Sequence, residues 1–195
     1  MSSDRRLAWG LTAGGVVGFI AAAVLLVERI RLAQDSDYVP TCSLNPVLSC
    51  GSVMETAQAS LLGFPNPIIG VAAFPVVVTT GVAVLAGARL ARWYWLGLQV
   101  GVTAALAFVA WLAFQSIYRI GALCPYCMVV WAVVIPMFWY VTLRNLAGGA
   151  FGEKLRRSRA SVVSAEWHAP ILLVPFLVLL GLVGERFWSY WSTLL

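Results

Sequence analysis

The stretch Gly121-Ala122-Leu123-Cys124-Pro125-Tyr126-Cys127-Met128 decides how the rest of the chain is read. It places a C-P-Y-C sequence directly before an apolar run that begins at Met128. A helix starting here puts Cys124 near the N-cap, Pro125 at the first helical position and Cys127 in the first turn. Proline suits that position, because its missing N–H is not needed there and its φ is already helical. Unpaired N–H groups and the positive end of the helix dipole stabilise a thiolate at such a start. Two cysteines three apart on one turn can also close a small disulfide ring, a geometry that favours redox cycling over a permanent staple. The chain has two further cysteines, Cys42 and Cys50, and the sequence asks whether the two pairs exchange electrons.

The apolar run after Met128 is one of several. The 195 residues are 61% hydrophobic and 11% charged, with a mean hydropathy of +0.88, whereas a soluble domain carries about 25% charged residues. Nine tryptophans and nine phenylalanines fit aromatic belts at membrane interfaces. Gly-rich phosphate loops, nucleic-acid motifs and internal repeats are absent from the sequence, so no nucleic-acid partner is expected. The composition points to a small all-α, polytopic membrane protein.

Five spans are expected, at residues 7–27, 68–88, 94–118, 127–142 and 169–184, forming one membrane domain over residues 1–195. The first is too long for the apolar region of a cleaved signal peptide, because it continues past Ala21-Ala22-Ala23 through Val27. Pro75 is expected to kink the second span and Pro136 to interrupt the fourth. The fifth is short and flanked by Trp167 and His168 on one side and Phe187, Trp188, Tyr190 and Trp191 on the other. Between the first two spans, residues 28–67 form a polar, proline-broken loop carrying Cys42 and Cys50, with a short helix expected over 53–62. Residues 143–168 form a basic loop with Arg144, Lys154, Arg156, Arg157 and Arg159. It reads as a topology determinant that also meets anionic lipid.

Lysines and arginines concentrate on the cytoplasmic side of membrane proteins. With the N-terminus inside, nine of them (Arg5, Arg6, Arg89, Arg92, Arg144, Lys154, Arg156, Arg157, Arg159) fall on the inner side. Four (Arg29, Arg31, Arg119, Arg186) fall outside. All four cysteines then share the outer side, where disulfides persist.

Four readings of the cysteines compete. Two structural disulfides in a non-catalytic membrane scaffold are possible, although a Cys124–Cys127 bridge closes too short a loop to remove much unfolded-state entropy. A four-thiolate zinc site is disfavoured by the wide Cys42–Cys50 spacing, and no metal is expected. Haem attachment needs a histidine after the second cysteine, where Met128 stands. Thiol–disulfide exchange inside a membrane bundle is the remaining reading, with the loop pair open to a soluble protein and the C-P-Y-C pair beside a lipid-soluble oxidant.

In these features the chain resembles the vitamin K epoxide reductase family in its bacterial form. The resemblance rests on Cys42 and Cys50 in the loop after the first helix, Cys124-Pro-Tyr-Cys127 opening a later helix, Thr56 six residues after Cys50, and Asn66 in Phe64-Pro65-Asn66-Pro67. It covers roughly Leu7 to Thr142 and implies a four-helix core. It further implies that a thioredoxin-like partner of the DsbA type exchanges with a Cys42–Cys50 disulfide through Cys42. Cys50 then attacks a Cys124–Cys127 disulfide at Cys124, and Cys127 passes electrons to a quinone, menaquinone or ubiquinone. Asn66 is the residue implied to hold a quinone carbonyl, although an asparagine here also suits a helix cap or turn. Thr56 is implied to line the same site, and Trp131 stands where vertebrate relatives have a tyrosine, so a hydrogen bond there would come from the indole N–H. Cys127 is expected to be the thiol whose pKa is lowered by the helix start. Because the sequence ends at Leu195, the partner is expected to be a separate protein rather than a fused domain. The resemblance places the protein in the bacterial inner membrane as a quinone-dependent, disulfide-forming oxidoreductase, with quinone rather than vitamin K epoxide as substrate. The DsbB family does the same work with the opposite order of cysteine pairs. His168, the single histidine, reads as an interfacial residue on the inner side.

Overall fold

A computed structural model describes residues 3–35 and 37–192. Ser36, the ends at 1–2 and 193–195, and the side chains of Ser3, Ala160 and Trp191 lie outside the described residues. The uninterrupted apolar runs form helices because a membrane has no water to satisfy exposed backbone N–H and C=O groups, so each span must satisfy its own. Helix α1 spans Ser3–Gln34. Two short elements follow in the loop, α2 at Cys50–Met54 and a 3-10 turn at Ala57–Ser60. They replace the single helix expected over 53–62. Then come α3 (Pro67–Leu85), α4 (Arg92–Phe114) and α5 (Pro125–Ala147). The basic loop holds α6 (Glu153–Arg156) and α7 (Arg159–Glu166), and the chain closes with α8 (His168–Arg186) and α9 (Trp188–Trp191).

Five of these segments, Asp4–Gln34, Pro67–Leu85, Arg92–Ile120, Pro125–Ala147 and His168–Arg186, are long and apolar enough to cross a bilayer. The protein is an all-α, multi-pass membrane protein with a four-helix core and a fifth helix outside it. The helices differ from the expected spans mostly at their ends. At 1.5 Å per residue, α1 is roughly 48 Å long, well beyond a hydrocarbon core of about 30 Å. Glu28, Arg29 and Arg31 continue it past Val27, because glutamate and arginine are good helix formers and only their exposure to lipid is forbidden. Pro136 does not interrupt α5, and α3 likewise runs through Pro75. Packed neighbouring helices tolerate an internal proline in a membrane.

Within the bundle, α1 packs against both α3 and α5, and α4 packs against α5, while α8 lies outside against α5. Small residues allow the closest crossing, as is usual for membrane helices: a Cβ on Gly81 of α3 would sit 2.7 Å from the Ala8 carbonyl oxygen of α1. The half of the α4–α5 contact far from Cys124 is polar. Asn145, fully buried, donates to the Trp95 carbonyl and to Gln99 Oε1, both at 3.1 Å. Gln99 in turn donates to Thr142 Oγ1 at 3.0 Å, and Arg144 stacks 3.8 Å over the Trp95 ring. His168 opens α8 in an exposed position, with its Nδ1 3.3 Å from the Tyr140 hydroxyl.

After Phe114 the α4 helix widens into a π-helical turn, Gln115–Ile120. It stops at Gly121, whose φ of +71° is left-handed and costs glycine nothing sterically. That turn aims Leu123 and Cys124 back towards the loop that carries Cys42 and Cys50.

Candidate redox site

The loop carrying Cys42 and Cys50 is folded mostly by its own polar groups. Asn45 Oδ1 accepts from the Val47 and Leu48 amides at 3.0 and 2.7 Å, and the Leu44 amide donates to the Leu48 carbonyl at 2.8 Å. This compact turn then pairs with the segment before C-P-Y-C. Leu48 and Leu123 form an isolated parallel bridge, in which the Ser49 amide donates to the Leu123 carbonyl (2.9 Å) and the Leu123 amide to the Val47 carbonyl (2.7 Å). Ser49 caps α2 through the Ser52 amide. Cys50 begins α2, Cys124 is the N-cap of α5, and Pro125 is its first helical residue.

The result is a sulfur cluster sealed by apolar side chains. Leu25, Leu32, Cys42, Cys50, Met54 and Cys124 form one buried cluster, separate from the main core. Cys42 and Cys50 are joined in a disulfide, while Cys124 and Cys127 are free thiols. Cys50 Sγ lies 3.0 Å from Cys124 Sγ, and the Sγ atoms of Cys42, Cys50 and Cys124 all lie within 4.8 Å of one another. Three sulfurs with two already bonded and a third thiol in contact is an arrangement for exchange, since a thiolate attacks a disulfide sulfur directly. Relative exposure separates the roles: Cys42 retains 5%, Cys50 0% and Cys124 1%. Cys127 is half-buried and faces a different space.

The helix start acts on Cys124 rather than Cys127. A hydrogen bond from the Cys127 thiol, aided by the Cys127 and Tyr126 backbone N–H groups, holds the Cys124 thiol below its ordinary pKa, against the opposing effect of burial. The lowered thiol was expected at Cys127, but the lowering falls on Cys124, whose side chain makes no full capping hydrogen bond to the first-turn amides.

That different space is a cavity of about 520 Å3 bounded by α1, α3, α4 and α5, on whose wall Thr56, Asn66, Cys124, Cys127 and Trp131 all appear. Cys42 and Cys50 are not part of its lining among the described residues. Helices α3 and α4 make little contact with each other, and the Thr80–Tyr94 hydroxyl pair at 2.5 Å joins them. Between them the wall is apolar and low, with Gly70 and Ala73 on α3 and Gly97, Gly101 and Ala105 on α4. Nothing lies within 4 Å of where a Cβ on Gly97 or Gly101 would stand. The slot is apolar along most of its lining, with Thr56 and Asn66 among its few polar side chains.

Asn66 stands at the N-cap position of α3, but its side chain does not cap that helix. Its Oδ1 accepts from the Leu61 amide at 3.2 Å, and its Nδ2 donates to the Gln58 carbonyl at 2.7 Å. A primary amide has two N–H donors, so one Asn66 N–H is left without a protein partner on a residue of the cavity wall. Thr56 donates to the Val53 carbonyl at 2.8 Å, which fixes the turn between α2 and the 3-10 segment and leaves the hydroxyl oxygen able to accept. Trp131 is buried and stands between this cavity and a second apolar one of about 420 Å3 against α8.

A family model described as the vitamin K epoxide reductase family matches residues 9–142. The chain belongs to this family. No curated protein sequence is significantly similar to it. The match runs from α1 to Thr142 in α5 and holds all four cysteines, Thr56, Asn66 and Trp131, with α7 and α8 beyond it. Membership in the vitamin K epoxide reductase family, together with the sulfur cluster, makes the protein a membrane thiol oxidoreductase.

Sequence reasoning missed two features of this vitamin K epoxide reductase-type site. The Leu48–Leu123 bridge has no local signal, because its partners are 75 positions apart (123 minus 48). Glu28 did have one: positions 25, 28 and 32 share one helical face, so it falls between two leucines, whereas Arg31 lies off that face.

Proposed function

We propose that the protein reoxidises a thioredoxin-like partner of the DsbA type and delivers the electrons to a membrane quinone, menaquinone or ubiquinone, in support of disulfide bond formation. The observation that carries this reading is the 3.0 Å contact between Cys50 of the closed loop disulfide and the free thiol of Cys124. In the proposed orientation the N-terminus is cytoplasmic and the cysteines are extracytoplasmic, in a bacterial inner membrane, with Arg144, Lys154, Arg156, Arg157 and Arg159 on the inner side.

The steps balance as follows. A partner thiolate attacks Cys42, the more exposed sulfur, and breaks the Cys42–Cys50 bond, releasing Cys50 as thiolate. The partner's second thiolate resolves the mixed disulfide, so the partner departs oxidised and both loop cysteines are reduced. Cys50 then attacks Cys124 in a Cys124–Cys127 disulfide and expels Cys127. Cys42 displaces Cys124 from Cys50, which restores the loop disulfide and leaves Cys124 and Cys127 carrying the two electrons. The described redox state, with the loop disulfide closed and both C-P-Y-C thiols free, is the one that follows this transfer. Closing the Cys124–Cys127 disulfide again releases two electrons and two protons, which a bound quinone would accept. Cys127 lines the cavity as the donor, Asn66 offers its remaining N–H to a carbonyl, and the apolar walls exclude water.

The test is oxidation of a reduced DsbA-type protein by the purified protein in lipid discs, with ubiquinone and menaquinone supplied in parallel. Oxidation that depends on added quinone is expected. A membrane scaffold with structural disulfides would leave the dithiol reduced whether or not quinone is present.

A further inference from the structure

Glu28 is the one charged side chain buried among the described residues, and the relay does not use it. It lies near the outer end of α1 on the face shared with Leu25 and Leu32, the face that packs against Cys42, Cys50 and Cys124. No lysine or arginine lies within ion-pair distance of it among the described residues. Burying a carboxylate without a counter-charge is unfavourable unless hydrogen bonds replace its water. All of the donors come from the short segment just before Cys42. The Tyr38 hydroxyl donates to Glu28 Oε2 at 2.9 Å, the Thr41 hydroxyl to Oε1 at 2.8 Å, and the Thr41 amide to Oε2 at 3.3 Å.

We propose that Glu28 is a positioning residue, which tethers Cys42 to α1 while the Cys42–Cys50 disulfide is open. This rests on the reading above that the loop disulfide cycles. A cycling disulfide is lost as a crosslink in every turnover, so something non-covalent must keep the two thiols together. Downstream of Cys42 the chain is held within the loop, by Leu44 to Leu48 and by the Gly51 amide on Ser43 Oγ (3.2 Å). Cys50 itself is held against α5 by the Leu48–Leu123 bridge. Upstream of Cys42 the Arg31 guanidinium also donates to the Tyr38 hydroxyl at 3.4 Å, and the shorter bonds to α1 converge on Glu28. Removing them frees that end of the loop in the reduced protein and lowers the effective concentration of the Cys42 thiol at Cys50. The oxidised protein, still crosslinked, changes little.

The test equilibrates the full-length protein in glutathione buffers, without quinone, and quantifies each cysteine pair by alkylation and mass spectrometry. The reaction oxidises two protein thiols to a disulfide and reduces one glutathione disulfide to two glutathiones. For Glu28→Ala the equilibrium constant of the Cys42–Cys50 pair should fall about tenfold, equivalent to a reduction potential about 30 mV more oxidising. The Cys124–Cys127 constant should stay unchanged. Glu28→Gln should lie between the two, since its amide keeps an accepting oxygen but gains a nitrogen that cannot accept. If Glu28→Ala does not accumulate, the Tyr38→Phe/Thr41→Val double variant removes two of the three donors and should lower the same constant. An unchanged loop-pair constant, or an equal fall in both pairs, overturns the proposal. A wild-type loop pair that glutathione never opens would instead remove the cycling reading, whereas a normal wild-type titration with an unaffected variant removes the tether alone.

Discussion

Asn66→Ala tests the cavity most sharply, because the side chain does two separable things. It fixes the turn after α2 through Leu61 and Gln58, and it has one N–H left for a ligand. An ordinary hydrogen bond contributes about 0.5–1.5 kcal/mol net, so losing the one to a quinone carbonyl should raise Kd by roughly two- to thirteen-fold. The two internal bonds, at about 1 kcal/mol each, should appear separately as a loss of thermal stability of about 2 kcal/mol. Kd is measured by titrating quinone against the tryptophan fluorescence of the protein in lipid discs, which Trp131 and Trp93 on the cavity wall make responsive. Reduction of the Cys42–Cys50 disulfide by a small dithiol serves as the control and should keep its wild-type rate, since none of these bonds touches the sulfur cluster. The reasoning is refuted if Kd stays within twofold of wild type while stability falls, because Asn66 would then be only a scaffold for the loop.

Gly101→Leu should fold normally, as a Cβ there meets no atom within 4 Å, yet lower quinone affinity at least as much as Asn66→Ala. Gly81→Ala is its counterpart: a methyl group 2.7 Å from the Ala8 carbonyl should destabilise the α1–α3 contact by about 1–3 kcal/mol, visible in thermal unfolding. Cys127→Ala removes the largest of the groups that lower the Cys124 pKa, so the Cys124 thiolate, followed by its ultraviolet absorbance against pH, should appear at higher pH than in the wild type. A lowered folded pKa stabilises the protein at pH above the ordinary thiol value, and that stabilisation is lost as pH falls through the folded pKa. The variant should therefore lose stability on the alkaline side only. Equal Cys124 titration in both proteins would contradict the hydrogen-bond assignment.

The fold was legible in the sequence where composition alone is decisive. A run such as 68–88 has one stable form in a bilayer, and the charge pattern around it needs no tertiary information. Helix ends were not legible: α1 extends through Glu28 and Arg31, because Glu28 turns inward to bonds with Tyr38 and Thr41 that no periodicity reveals. Pro136 misled for a related reason, since whether a proline breaks a helix depends on its neighbours. In the site, the helix start at Cys124-Pro125 was readable from local rules. Which of its two thiols is lowered was not, because that depends on how the Cys127 thiol lies against Cys124. The distance between Cys50 and Cys124 depends on the Leu48–Leu123 bridge, a contact between two loop segments with no pattern to announce it. Asn66 was noticed by resemblance, but its anchoring to Gln58 and Leu61 required coordinates.

The relay between the two pairs is tested most directly by trapping its intermediate. In Cys42→Ser no sulfur remains to displace Cys124 from Cys50, so the protein treated with quinone should accumulate a Cys50–Cys124 disulfide, with Cys127 free to alkylation. Non-reducing peptide mapping by mass spectrometry reads both outcomes in one digest. A peptide joining Cys50 to Cys124 is the result predicted from sulfurs 3.0 Å apart. An intact Cys124–Cys127 disulfide beside a free Cys50 thiol would contradict it.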